Sequence, residues 1–231
     1  MQLLRDGICE AIMLLWAGDP LILSAALRTI WISFAAVSLA TLVGFPLGIL
    51  LARARFCGQH LVVLGFRAGM ALPTVFVGIM CYALFSRRGI LGPLDLLYSP
   101  WGIVCGELFL AIPIVVGITH GAIQSLDPRI TETAWTLGAG PLRRGLTYLS
   151  EARVAALLAV LTALARCVTE LGIAMIVGGN LKDHTRTLAT ATALETGKGD
   201  FARGLAMGLI LLLIALLATS LIGLLSREHK R

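Results

Sequence analysis

Charge is scarce in this chain. Asp, Glu, Lys and Arg make up 14% of its 231 residues, against about 25% in an ordinary soluble domain. Hydrophobic residues make up 58%, so there is more apolar surface than one soluble core covers, and lipid is its natural solvent. The five cysteines (Cys9, Cys57, Cys81, Cys105 and Cys167) stand singly with no C-x-x-C pair, which excludes a disulfide framework and a thiolate metal site. His120 and His184 have no ligand partner at metal-binding spacing. Gly-x-x-x-x-Gly-Lys-Ser/Thr is absent, so nucleotide hydrolysis by the usual phosphate-binding loop is excluded. Gly-x-Ser-x-Gly is absent as well. No clustered acid, base or nucleophile suggests a catalytic centre, and no metal or catalytic residue is expected. The start, Met1 to Asp6, is a weak n-region, and the apolar run after it is broken by Gly18-Asp19-Pro20; no cleaved signal peptide is expected.

What is present is a set of long uncharged runs. Residues 29–52, 68–86 and 204–226 carry no charge; residues 101–119 carry only Glu107, and residues 154–180 only Arg166 and Glu170. A helical crossing needs about 20 predominantly apolar residues, and only closed helices satisfy every backbone group in hydrocarbon. The runs predict an all-α, polytopic bundle of about five transmembrane helices over residues 27–226. Residues 1–26 are expected to form a peripheral or interfacial segment, with a short helix over 8–17 ended by Gly18-Asp19-Pro20. Residues 227–231 form a basic tail. Pro46, Pro73 and Pro113 fall inside the runs and predict kinks. Gly44/Gly48 and Gly204/Gly208 are small-xxx-small pairs that permit close helix contact. The net charge of +6 is ordinary for basic loops flanking membrane spans and does not call for nucleic acid. With the 127–150 loop inside, basic residues are nearly balanced across the bilayer, so charge bias alone does not fix the orientation.

The most informative loop runs over residues 127–150. Asp127 is a good N-cap with Pro128 at the first helical position; Gly138 can close that helix, and Pro141 opens a second. The spacing predicts a compact knob of two short helices carrying Arg143 and Arg144.

This loop resembles the cytoplasmic signature of permease subunits in binding-protein-dependent ABC importers: Glu-Ala-Ala, three residues, then Gly. Here it reads Glu132-Thr133-Ala134, then Trp135-Thr136-Leu137, then Gly138. Thr133 departs from the pattern, and Tyr148-Leu149-Ser150-Glu151 stands where the signature ends in Ile-x-Leu-Pro. Residues 166–180, from Arg166 through Glu170 to Gly178-Gly179-Asn180, are similar to the fifth-helix region of molybdate- and sulfate-type permeases. Ala71-Leu72-Pro73-Thr74, Ile130-Thr131-Glu132-Thr133-Ala134, Glu151-Ala152-Arg153 and Glu195-Thr196-Gly197-Lys198-Gly199-Asp200-Phe201 resemble the tungstate permease group, over nearly the whole chain.

The resemblance implies a type I importer permease, multi-pass in the cytoplasmic (inner) membrane with its C-terminus inside. It implies a homodimer that translocates tungstate, fed by an extracytoplasmic oxyanion-binding protein. An ABC ATPase subunit would grip Glu132, Thr133, Ala134, Gly138, Arg143 and Arg144, and ATP and magnesium would be bound by that subunit, with no cofactor on this chain. A molybdate or sulfate permease is the alternative within transport; a membrane enzyme or assembly factor is the alternative outside it.

Several residues carry two readings. Arg166 and Glu170, four apart, share a helix face and either line the path or form a structural ion pair. Gly178, Gly179 and Asn180 either stop a helix or present N–H groups to a dianion. Thr185, Thr192 and Thr196 are spaced for one helical face, with Thr187 and Thr190 nearby; they either line the path with weak hydroxyl donors or belong to a solvated loop. Lys182, Arg186 and Lys198 would draw anions to the outer mouth. Glu107 either pairs with Arg166 or reaches outward.

Overall fold

The computed structural model describes residues 8, 9, 12–14 and 16–228. Met1 to Asp6, part of the expected 8–17 helix, and Lys230 and Arg231 of the basic tail lie outside the described residues. The described residues of 8–17 are helical, and Gly18 follows at φ +67°.

The helix starts repeat one chemistry. Helix α1, Pro20–Arg53, begins where the Asp19 carboxylate accepts from the Leu21 N–H at 2.8 Å. Helix α4, Pro100–Gln124, begins where the Ser99 hydroxyl accepts from the Gly102 N–H at 3.0 Å. Helix α5, Pro128–Thr136, begins where Asp127 accepts from the Arg129 N–H at 2.9 Å. Each start joins a polar cap to proline at the first position, where a missing N–H is harmless. Because α1 starts at Pro20, residues 20–26 belong to the first membrane helix, and the expected peripheral segment is correspondingly shorter.

Between α1 and α4, helix α2 (Gln59–Gly69) and helix α3 (Thr74–Phe85) meet at 103°. Pro73 sits at this break as the cap of α3, not inside a helix. Pro46 and Pro113 do lie inside α1 and α4. After α5 come α6 (Pro141–Glu151), α7 (Arg153–Val168), the short α8 (Gly172–Ile176), α9 (Leu188–Lys198) and α10 (Phe201–Glu228).

Among the described residues, three helices are long and apolar enough to cross a membrane: Pro20–Arg53, Pro100–Gln124 and Phe201–Ala218 within α10. A fourth crossing results if α2 and α3 count as one bent span. The expected continuous span over 154–180 is broken: α7 has 16 residues, about 24 Å at 1.5 Å per residue. Its start meets the end of α4 in a cluster of Ile123, Tyr148 and Ala152. Beyond α8, the Val177 carbonyl accepts from the Tyr98 N–H at 2.8 Å, beside the start of α4. Helices α7 and α8 therefore run the length of α4 in the opposite direction.

Helix α4 is the central helix. A Cβ on Gly44 would meet Val115 Cγ1 at 2.7 Å, and one on Gly48 would meet Thr119 Cβ at 2.8 Å, so the α1–α4 contact depends on the small pair the sequence shows. Val37, Ala40, Ala111, Ile114, Val115, Ala163 and Cys167 form the core where α1, α4 and α7 meet. A Cβ on Gly106 would fall 2.3 Å from Ile173 Cγ2, which seats α8 against α4. Of the second pair, a Cβ on Gly204 would collide with Thr196 Oγ1, whereas one on Gly208 would have room.

Candidate functional site

Two regions collect the functional residues, at opposite ends of the bundle. The first is the knob between α4 and α7. Helix α5 ends in a Schellman closure: Gly138, at φ +68°, donates to the Trp135 carbonyl at 3.0 Å, and Ala139 donates to the Ala134 carbonyl at 3.0 Å. Gly140 and Pro141 then start α6. The Arg144 guanidinium lies 3.7 Å from the centroid of the Trp135 ring and clips α6 onto α5. Ala134 is buried beneath the turn, while Glu132, Thr133, Gly138 and Arg143 are exposed. Leu137 and Leu142, at the tip, are each 79% exposed, and Trp135 is 63% exposed. Apolar exposure of this kind, on a helical turn outside the spans, marks a docking surface. The root is firmer. Arg53, at the end of α1, stacks 4.5 Å from the Tyr148 ring and donates Nη2 to the Ile123 carbonyl at 3.2 Å.

The second region surrounds the break after α7. Arg166 donates Nη1 to Glu170 Oε2 at 2.9 Å, and Glu170 Oε1 accepts from the Ile173 N–H at 3.0 Å, capping α8. The two side chains differ in exposure: 35% for Arg166 and 1% for Glu170. Glu107 neither pairs with Arg166 nor reaches outward. It is buried in α4, and its Oε2 has no hydrogen-bond partner among the described residues. Farther along, Gly179 (φ +68°) and Asn180 (φ +51°) end the segment in left-handed conformations. Arg186 wraps this turn, donating Nε to Asn180 Oδ1 at 3.2 Å, and Arg28 Nε donates to the Arg186 carbonyl at 3.0 Å.

The threonines are placed differently from the helical-face expectation. Helix α9 starts at Leu188, so Thr185 lies in the preceding turn and cannot share a helical face with Thr192 and Thr196. Thr185 is fully buried; its hydroxyl donates to the Gly178 carbonyl at 2.5 Å and accepts from the Leu181 N–H at 2.9 Å. Thr187 and Thr190 are buried in a reciprocal capping box. The Thr192 hydroxyl is half-buried and donates to the Leu188 carbonyl at 2.8 Å. Valine at position 185 leaves the buried Gly178 carbonyl unsatisfied, at about 1–3 kcal/mol, and releases the exposed Leu181 N–H. Thr185→Val is therefore expected to lower the melting temperature in detergent clearly more than Thr192→Val, and equal shifts would contradict the bridging role.

Comparison with known proteins follows the same lines. Residues 44–231 match the family model described as binding-protein-dependent transport system inner membrane component. The chain belongs to this family. Among curated relatives, a tungstate uptake system permease protein of Campylobacter jejuni is 38% identical over 210 residues, covering 91% of this chain and 88% of that one. The counterpart from Peptoclostridium acidaminophilum is 32% identical over 228 residues, covering 99% and 100%. Among solved structures, an inward-facing MetNI methionine ABC transporter superposes with a TM-score of 0.67 at 16% identity, covering 89% of this chain and 96% of that one; at that identity the likeness is one of fold. As an inner membrane component of such a system, the chain is a multi-pass permease subunit of an ABC importer, working with an ATPase and a substrate-binding protein. The sequence placed the knob correctly but missed its root. Arg53 reads there as an ordinary flanking charge, and Tyr148 as a departure from the motif.

Proposed function

We propose that this permease carries tungstate across the cytoplasmic membrane as a homodimer, with its C-terminus inside, using ATP and magnesium bound by a separate ATPase. The observation that carries the substrate is the near full-length similarity to tungstate permeases. The geometry supports the mechanism. The ATPase grips the knob through Glu132, Thr133, Gly138 and Arg143, with the exposed tip as its apolar anchor, while Ala134 beneath the turn and Arg144 on Trp135 hold the knob's shape. Residues 27–226 act as the moving permease domain, with residues 20–26 joined to it as the first turns of α1.

At the other end, the Arg166 guanidinium faces open space while its carboxylate partner is hidden, so the pair presents positive charge to a passing dianion. Gly178, Gly179 and Asn180 shape the turn at the mouth. Thr185 holds its backbone, Thr187 and Thr190 cap the start of α9 beside it, and Thr192 is the half-buried threonine of this set. Lys182 adds charge there. A loose, low-affinity path suffices, because selectivity rests with the binding protein. Rigid-body rocking about the central α4 then alternates access.

Uptake of tungstate in cells with and without this chain, with molybdate and sulfate as competitors, tests the reading. The expected result is uptake that depends on the chain and resists excess molybdate. Unchanged tungstate uptake with impaired molybdate or sulfate uptake would replace the substrate and keep the permease.

A further inference from the structure

One side chain joins three elements at the root of the knob. Arg53 closes α1, donates Nη2 to the Ile123 carbonyl in the last turn of α4 at 3.2 Å, and stacks 4.5 Å from the Tyr148 ring of α6. The two contacts differ in kind. The hydrogen bond to α4 is directional, whereas stacking on an aromatic face tolerates sliding. Arg53 Nε is buried and has no acceptor among the described residues. A buried donor without a partner is rare and calls for a physical reason.

The surroundings of this contact are permissive. Between α1 and α6 an apolar groove of about 320 Å³, lined by residues including Pro46, Ile49, Leu142 and Leu146, leaves α6 room to shift. A Cβ on Gly145 would lie 3.8 Å from Ile49 Cδ1, in ordinary contact. At the tip, by contrast, Arg144 on Trp135 and the tight turn at Gly138 tie α6 to α5. Movement imposed at the tip must therefore appear at the root, where Arg53 supplies the polar contact between α6 and the ends of α1 and α4.

We infer that Arg53 is the positioning residue that transmits knob movement to α1 and α4, with its free Nε–H as the donor for a second arrangement of the same three elements. The inference rests on the importer reading above. Nothing in it requires Arg53 to touch substrate, nucleotide or the ATPase.

The test uses the full chain assembled with its ATPase and binding protein in proteoliposomes, read as tungstate imported per ATP hydrolysed. Arg53→Gln and Tyr148→Leu are expected to leave ATPase copurification and hydrolysis within about twofold of wild type and to lower import per ATP about tenfold, a loss of about 1.4 kcal/mol of coupling. Tyr148→Phe, which keeps the ring, is expected to behave as wild type, and Arg53→Lys, which keeps charge without the planar fork, to fall between. The double variant is expected to be no worse than either single one. Wild-type import per ATP in Arg53→Gln would overturn the inference. So would a parallel fall in assembly, hydrolysis and import across all four single variants, because that is the signature of a structural brace. If the wild-type chain neither binds an ATPase nor imports, the importer reading itself fails, and that outcome is distinct from both.

Discussion

Leu137→Glu is expected to abolish copurification of the ATPase while leaving the permease folded in the membrane. Leu137 lies at the turn between α5 and α6, 79% exposed, with Leu142 equally exposed across the turn. It makes no contribution to the cluster of Ile123, Tyr148 and Ala152 that roots the knob, so the fold does not depend on it. Burying a leucine in an interface contributes about 1.5–3 kcal/mol. Placing a carboxylate there removes that gain and adds a desolvation penalty of several kcal/mol. Together these weaken association by at least about a hundredfold, at about 1.4 kcal/mol per tenfold. The measurement is copurification of the ATPase with tagged permease, alongside the melting temperature of the permease alone. Retained copurification would move the docking surface off the tip. A fall in both readouts would show that Leu137 braces the knob.

The knob was legible because every device that shapes it is local. Asp127 caps, Pro128 starts, Gly138 takes a left-handed turn at φ +68°, and Pro141 restarts. Each is a property of one residue and its immediate neighbours. The starts at Pro20 and Pro100 use the same local devices, yet Gly18-Asp19-Pro20 reads in the sequence as the end of a helix. The breaks in the membrane segments were not legible, because they are set across helices. Hydropathy runs without interruption through residues 171–178, yet the chain breaks where Glu170 turns to cap Ile173 and where Gly172 lies against Thr74, with a Cβ only 2.9 Å from Thr74 Oγ1. Pro73 was legible as a disruption but not as the corner of a 103° bend. That corner depends on Gly69 fitting against Pro113, where a Cβ would meet the ring at 3.0 Å.

The candidate path shows the same division. Four-residue spacing announced the Arg166–Glu170 pair, and the structure joins them at 2.9 Å. The spacing of the threonines suggested a helical face, but Thr185 precedes the helix and its hydroxyl is committed to a turn. Periodicity assumes that the helix is already there, and at Thr185 it is not.

Arg166→Gln is expected to reduce both the amount of permease in the membrane and the uptake of tungstate. Adding Glu170→Gln is expected to restore the amount without restoring uptake. Glu170 is 1% exposed and lies within electrostatic range of Glu107, which is also buried. Removing the guanidinium leaves the buried Glu170 carboxylate with no cation beside it. Breaking a fully buried pair costs about 3–5 kcal/mol; the 35% exposure of Arg166 lowers that to the bottom of the range or below, through solvent screening. A glutamine at 170 relieves the unpaired charge and keeps a carbonyl oxygen for the Ile173 N–H, which otherwise loses its partner. Exchanging the two charges would be less informative. Arginine at 170 cannot accept from Ile173, so the swap fails even if the pair is purely structural. In the double glutamine variant the structural demand is met and only the cation facing open space is missing. Membrane level by immunoblot and initial uptake rate, measured on the same cells, separate the two roles. Recovery of the membrane level with uptake still at least about tenfold below wild type, about 1.4 kcal/mol in transport terms, would place Arg166 on the path. Recovery of both together would make the pair a brace and leave the anion to other groups at the mouth.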